Sequence, residues 1–255
     1  MIKFFLKNIL KIFGYYISLV NWEEKYSRLY EIYKNDLSFD DIYKKFFYNK
    51  KKIIIFDVGA NVGQSIDRYK KIFSNFEIHC FEPNREAFSN LSQKNNNNIH
   101  LNQVAVGDKN GYEFFYNYSK TSSSSFSKIN KSSILNKQNK KYYQSKVRVI
   151  TLDHYIKTNK IKNIDILKID TQSHEDKVLL GAKRSLKRKI INFIETEVML
   201  GQQYEKVNSF YKIEKNFSQN DYSLLAINNT GNLLTNKDFQ LDVIYIKNIF
   251  FKKFK

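Results

Sequence analysis

The stretch Ile53-Ile54-Ile55-Phe56-Asp57-Val58-Gly59-Ala60-Asn61-Val62-Gly63 decides the fold of this chain. Ile53–Phe56 is a short, continuous apolar run, the pattern of a strand buried on both faces. It ends in an acid and a turn carrying two glycines, and a helical stretch through Phe73 follows. Glycine permits positive φ and lets another group approach the backbone. The helix N-terminus after the turn offers free amides to negative charge. The spacing is not the full dinucleotide G-x-G-x-x-G, and no Gly-Lys-Ser/Thr of a P-loop follows, so a triphosphate is not the natural ligand.

Working outward, a second apolar run, Ile78–Phe81, ends in Glu82-Pro83. An acid roughly twenty residues beyond such a glycine turn is placed to bind a ribose diol. Ala87–Lys94 reads as a helix and Ile99–Val106 as a third strand. Gly107–Gly111 and Tyr112–Tyr116 read as a turn and a strand that close a hairpin. Lys120–Ser145 is polar, with a serine run at Ser122–Ser125, and reads as a long loop or mobile lid. Regularity returns at Lys146–Leu152. Ile164–Ile169 is a buried strand ending at Asp170, Asp176–Leu186 a helix, and Ile190–Ile194 a strand ending at Glu195. Val207–Gln219 reads as a helix, and Tyr222–Asn228 with Leu241–Ile246 as a terminal antiparallel hairpin. Short apolar strands alternating with helices predict an α/β, doubly wound, mostly parallel sheet, with ligands outside the carboxyl ends of its strands. Acids end four of those strands, at Asp57, Glu82, Asp170 and Glu195, and a buried carboxylate needs a partner. The residues alone point to an adenosine-like ligand without naming it.

Residues 1–50 read as a helical extension and 51–255 as the α/β domain. Lys3, Lys7 and Lys11 recur among Phe4, Phe5, Leu6, Ile9, Leu10 and Phe13. That describes a basic amphipathic helix, too short and too charged to span a bilayer. It is suited to packing on the protein itself, on a second subunit in a homo-oligomer, or peripherally on an anionic membrane. The formal net charge of +18 favours anionic partners. The lysines are scattered, so no nucleic acid is expected as partner; a basic groove with interleaved aromatics would favour the rival reading of a nucleic-acid-binding protein. The single cysteine, Cys80, excludes an internal disulfide, a cysteine zinc cluster and a radical iron–sulfur centre. It fits a reducing, cytoplasmic setting and reads as a packing residue.

The ordered set Ile55–Gly63, Phe81-Glu82-Pro83, Val104–Asp108, Thr151-Leu152-Asp153, Leu167–Gln172 and Gly181-Ala182 resembles the FkbM family of S-adenosylmethionine-dependent methyltransferases. The resemblance runs from Ile53 to the C-terminus. It implies a class I methyltransferase (Rossmann-like) sheet with one antiparallel strand near the end. It implies that Asp57, Gly59, Asn61 and Gly63 hold the methionine part of S-adenosylmethionine and that Glu82 holds the ribose hydroxyls. Val106 and Asp108 would lie near adenine, with Asp108 equally suited to bond its own Gly-rich turn, and Asp170 would reach the cofactor as well. Ser173-His174 departs from the family, which usually has glycine and an aromatic there.

Methyl transfer to a hydroxyl requires alignment, exclusion of water and removal of a proton. Asp170, His174 and Glu195 are the candidate catalytic residues. Asp170 and Glu195 sharing a divalent metal is the alternative. No Asn/Asp-Pro-Pro-aromatic motif for planar nitrogens is present. The expected reaction is O-methylation of a small or carbohydrate acceptor such as a nucleotide-activated sugar for surface polysaccharide, with a phosphate-derived or amine group of a glycan precursor as the variant reading.

Overall fold

The computed structural model describes residues 37–229 and 240–249. The basic amphipathic helix expected near the N-terminus lies outside the described residues. Among those described, no helix is long and apolar enough to cross a membrane.

The core is a seven-stranded sheet. In chain order its strands are β1 (Ile53–Val58), β2 (Phe76–Phe81), β3 (Ile99–Asn102), β7 (Ile164–Ile169), β8 (Ile191–Met199), β9 (Tyr222–Asn229) and β10 (Gln240–Lys247). Their spatial order is β3-β2-β1-β7-β8-β10-β9. Neighbours from β3 to β8 pair in parallel, and β10 runs antiparallel to both β8 and β9. This is the class I methyltransferase arrangement, with the reversed strand where the sequence put it. β1 turns away from β2 and β3 and toward β7, so the carboxyl ends of β1 and β7 open a crevice at the point where strand order reverses.

Period-2 alternation sends Ile53, Ile55 and Asp57 to one face and Ile54, Phe56 and Val58 to the other. The first face is covered by α1 (Phe39–Phe47) and α2 (Gln64–Ile72). Ser38 caps α1 by accepting from the Asp41 amide, and the helix buries Phe39, Ile42, Tyr43, Phe46 and Phe47. Three of those rings meet Phe193 of β8 at centroid distances of 5.1–5.8 Å. The opposite face carries α5 (Leu152–Thr158), capped by the Thr151 hydroxyl. Its Tyr155 ring stands edge-on to Phe56 and Phe81. The compact unit runs Ser38–Phe250, so α1, assigned by sequence to the extension, shares the core of the sheet.

Several boundaries differ from expectation. Ile99–Val106 is two strands: β3 stays in the large sheet, while β4 (Ala105–Val106) joins a small one with β5 (Gly111–Tyr118) and β6 (Tyr142–Ile150). β4 and β5 do not form a hairpin, because β6 lies between them; Val149 has Ala105 on one side and Gly111 on the other. The expected helix Asp176–Leu186 is α6 (Glu175–Gly181) and α7 (Lys183–Lys187), two short helices. A Cβ on Gly181 would come within 2.0 Å of the Gly107 carbonyl oxygen, so the chain there must be glycine. β8 extends past Ile194 to Met199, which places Glu195 inside the strand rather than at its end. The last helix, α8, is Phe210–Ser218.

Candidate functional site

A cavity of about 400 Å³ opens at the carboxyl ends of β1, β2 and β7, within the range of small-ligand sites. Gly59, Asn61, Glu82, Val106 and Asp170 line it. Its apolar wall comes from Phe81, Ala105, Val106, Phe115 and Phe126.

The glycine turn is held from two sides. The amides of Gly59 and Ala60 both donate to the Phe81 carbonyl, at 2.9 and 3.1 Å. Gly59 has φ +86°, and a Cβ there would lie 1.9 Å from the Asp170 carbonyl oxygen. Glycine is therefore what lets the end of β1 close on the end of β7. Asn61 takes a left-handed φ of +46°, and its amide donates to Glu82 Oε2 at 2.8 Å. Glu82 Oε1 accepts from the Asn84 amide at 2.7 Å. Each carboxylate oxygen keeps lone-pair capacity for the cavity that Glu82 lines. Burial pushes the Glu82 pKa up to about 7, against those two amides.

Gly63 and Asp57 stand behind this lining. Gly63 has φ +89° at the N-terminus of α2 and faces the side chains of Lys94 and Leu91. Asp57 is fully buried, and neither oxygen has a hydrogen bond of normal geometry. The Lys168 ammonium lies 3.8 Å away. Burial raises the Asp57 pKa, partly offset by Lys168 and the neighbouring Ser65 hydroxyl. Asp57 thus reaches the cavity through Lys168, which does line it.

The three proton-acceptor candidates are separated. Asp170 lines the cavity, with Lys168 Nζ at 3.1 Å and Gln172 Nε2 donating at 2.9 Å. Burial opposes its ionisation, but Lys168 and Gln172 hold its pKa below the usual value. Glu195 is outside the lining: Arg68 donates to it at 2.5 Å and Tyr43 at 2.8 Å. One oxygen is held in the ion pair with Arg68 and the other by the Tyr43 hydroxyl, and neither faces the cavity. His174 is buried at the start of α6 and stacks on Phe126 at 4.2 Å. Phe126, not the imidazole, lines the cavity, and burial pushes the His174 pKa down to about 4. Asp170 and Glu195, considered above as a metal pair, each face a side-chain cation, Lys168 and Arg68.

Asp108 is likewise drawn off, to Lys177 Nζ at 2.7 Å. Ser173 sits at φ +76° beside Gln172 at +54°, a left-handed backbone that favours glycine. The segment expected as a lid is a built wall. Thr121 donates to Asn61 Oδ1 at 2.8 Å, Asn84 donates to Ser124 Oγ at 3.3 Å, and the Tyr204 hydroxyl donates to the Ser123 carbonyl at 2.9 Å. Ser123, Ser124, Ser125 and Ser127 are buried, so all of the serine run but Ser122 is an interior feature. Sequence reasoning missed Arg68, Lys168 and Gln172, which line the cavity. The available signal was alternation: Lys168 and Asp170 share a face of β7, and Glu195 and Glu197 share one of β8.

The Methyltransferase FkbM domain model matches residues 57–224, more than half of the chain. The 2-O-methyltransferase NoeI of Sinorhizobium fredii is 25% identical over 161 residues, covering 60% of this chain and 65% of that protein. The chain thus spans about two thirds of the length of this curated relative. Among solved structures, magnesium protoporphyrin IX methyltransferase from Synechocystis PCC 6803 is similar at TM-score 0.47 and 9% identity, over 96% of this chain and 99% of that one. An rRNA methylase from Streptococcus thermophilus is similar at TM-score 0.46 and 11% identity, over 81% and 95%. The match of the family model over the glycine turn, the acid after β2 and the end of β7 identifies the chain as a member of the FkbM methyltransferase domain family.

Proposed function

We propose that this protein is an S-adenosylmethionine-dependent O-methyltransferase acting on a hydroxyl of a small or carbohydrate acceptor, such as a nucleotide-activated sugar. The observation that carries the reading is a single cavity bounded by the Gly59–Asn61 turn, Glu82 and Asp170. When bound, S-adenosylmethionine supplies a methyl group on a positively charged sulfur. Glu82 accepts from the two ribose hydroxyls with the lone pairs its backbone partners leave. Val106 and the phenyl rings of Phe81, Phe115 and Phe126 form the apolar side suited to adenine. Asp57, Gly59, Asn61 and Gly63 shape the turn around the methionine end, Asp57 by neutralising Lys168.

Asp170 would accept the hydrogen bond of the acceptor hydroxyl and take its proton as the O–C bond forms and the methyl–sulfur bond breaks, with S-adenosylhomocysteine as the leaving group. Lys168 and Gln172 keep Asp170 ionised for that role and fix its orientation. His174 and Glu195 act through packing and charge pairing. The 2-O-methyltransferase relative supports transfer to oxygen, and the lysine-rich surface suits a diphosphate-bearing acceptor.

The test is transfer of labelled methyl from S-adenosylmethionine to a panel of sugar nucleotides and free sugars. An oxygen-linked methyl in the product, with Asp170→Asn lowering turnover roughly a hundredfold or more while leaving cofactor affinity near wild type, is expected. No calorimetric binding of S-adenosylmethionine overturns the reading, and so does label found only on nitrogen.

A further inference from the structure

We infer that Glu77, His79 and His100 form a divalent transition-metal site on the β2–β3 edge of the large sheet, of a chemistry suited to Zn²⁺. Glu77 and His79 are two apart on β2 and so share one face, and His100 of β3 is the register partner of His79. One oxygen and two imidazole nitrogens, all within 4.8 Å of one another, converge there. Glu77 Oε1 lies 2.9 Å from His100 Nε2 and 3.3 Å from His79 Nε2. Ligands on one tetrahedral Zn²⁺, with bonds of about 2.0–2.2 Å, lie roughly 3.3–3.5 Å apart. The two imidazole rings are stacked at 4.3 Å, so the half-exposed His100 must rotate its ring to turn its lone pair to the same point as that of His79; its exposure and that of Glu77 leave room for this and for a fourth ligand from water.

A second observation points the same way. His79 is 3% exposed, and its Nε2 is buried without a hydrogen bond, aimed at Glu77. Its other nitrogen is taken: Nδ1 lies 2.9 Å from the Tyr155 hydroxyl. With the proton on Nδ1 and donated to the phenol oxygen, the Nε2 lone pair is left for a metal, the arrangement by which outer partners fix a ligating imidazole. Tyr155 is itself held by Asn102, whose amide donates to it at 3.3 Å. The Lys52 ammonium pairs with the opposite oxygen, Glu77 Oε2, at 2.6 Å, so Oε1 remains turned to the histidines.

The site lies outside the cofactor cavity, and its role is structural. It ties the edge strand β3 to β2, whose carboxyl end carries Glu82, and the Glu82 amide already donates to the Asn102 carbonyl at 3.1 Å. A clamp there holds the segment that positions Glu82.

The test is titration of the untagged full chain with Co²⁺, a visible reporter of imidazole ligation, followed by displacement with Zn²⁺. One Co²⁺ per chain is expected, with a visible band that Zn²⁺ bleaches. His100→Ala should lose it while keeping the wild-type circular dichroism spectrum, and His154→Ala, elsewhere on the surface, should retain it. Tyr155→Phe should weaken Co²⁺ binding by roughly 10–100-fold. Zn²⁺ should raise the melting temperature of the wild type and not of His100→Ala. No band in the wild type, or equal Co²⁺ uptake by wild type and His100→Ala, overturns the inference.

Discussion

Glu82 shows how one side chain couples the turn to the ligand. Two backbone amides bind its carboxylate, yet burial holds its pKa up to about 7. A carboxyl group whose folded pKa is raised binds its proton more tightly in the native than in the unfolded state. Its contribution to stability is therefore greatest at low pH and declines as pH rises from the unfolded value toward 7. A ribose diol binds the ionised form, so affinity runs the other way. S-adenosylmethionine should bind roughly tenfold more weakly at about pH 6 than at about pH 8, and Glu82→Gln should bind weakly with no such slope. Calorimetry at the two pH values reads this directly; an unchanged slope in Glu82→Gln would assign the pH dependence to another group. Gly59 makes a steric prediction. An added Cβ meets the Asp170 carbonyl oxygen at 1.9 Å with φ at +86°, a backbone clash that no rotamer relieves. Gly59→Ala should cost at least about 2–3 kcal/mol, read as a lowered urea midpoint.

At the scale of elements, β7 and β8 carry charges inward in register. Asp57 of β1, Lys168 of β7 and Glu195 of β8 lie side by side, and Arg68 of α2 closes the row by binding Glu195 and Asp40. Removing one partner of a buried pair strands the other charge and costs about 3–5 kcal/mol, whereas an exposed pair contributes about 0–1. Arg68→Ala should therefore lower stability far more than Lys94→Ala, which breaks the more exposed pair with Asp67. Denaturant titration compares the two, and equal losses would mean that the Arg68–Glu195 pair is no better than a surface bridge. This row also explains where sequence reading ran out. The apolar cores of β1, β2 and β7 and the acids after them were legible because burial on both faces leaves a continuous signal. Glu195 looked like the end of a strand because the partners that allow its burial, Arg68 and Tyr43, lie far off in the chain. The β4–β5 misreading has a similar origin. A two-residue strand has no period, and the strand inserted beside it begins 36 residues after its end, at Tyr142. Of the residues lining the cavity, Gly59, Glu82 and Asp170 stood out from their places at strand ends, whereas Asn61 and Val106 came only with the family resemblance. The drawing-off of Asp108 by Lys177 and of His174 by Phe126 depends on tertiary contacts that no local pattern carries.

The whole molecule turns on where its compact unit begins. Sequence composition divides the chain after residue 50, yet the compact unit starts at Ser38. α1 buries five apolar side chains, and its Tyr43, Phe46 and Phe47 cover Phe193, while Phe47 also meets Phe73 at 6.0 Å. Tyr43 in addition donates to Glu195, in the charge row that ends beside the cavity. Burial of a large apolar side chain contributes about 1.5–3 kcal/mol, so losing α1 removes on the order of 10 kcal/mol, comparable with the entire stability of a domain. A chain beginning at Ser38 should keep the cooperative unfolding transition of the full protein. One beginning at Lys51 should not fold: Phe193 would lie open to water, and Glu195 would keep only Arg68 as partner. Circular dichroism melts of the two shortened chains, with S-adenosylmethionine titrated into each, compare the alternatives. A cooperative melt from the chain beginning at Lys51 would show that α1 is an appendage, and the buried face of β8 would then need another cover. Loss of the melt in that chain alone makes α1 the outer layer of the same sheet that carries the cavity, so that changes in α1 reach the Asp170 end of the site through Tyr43, Glu195 and Lys168.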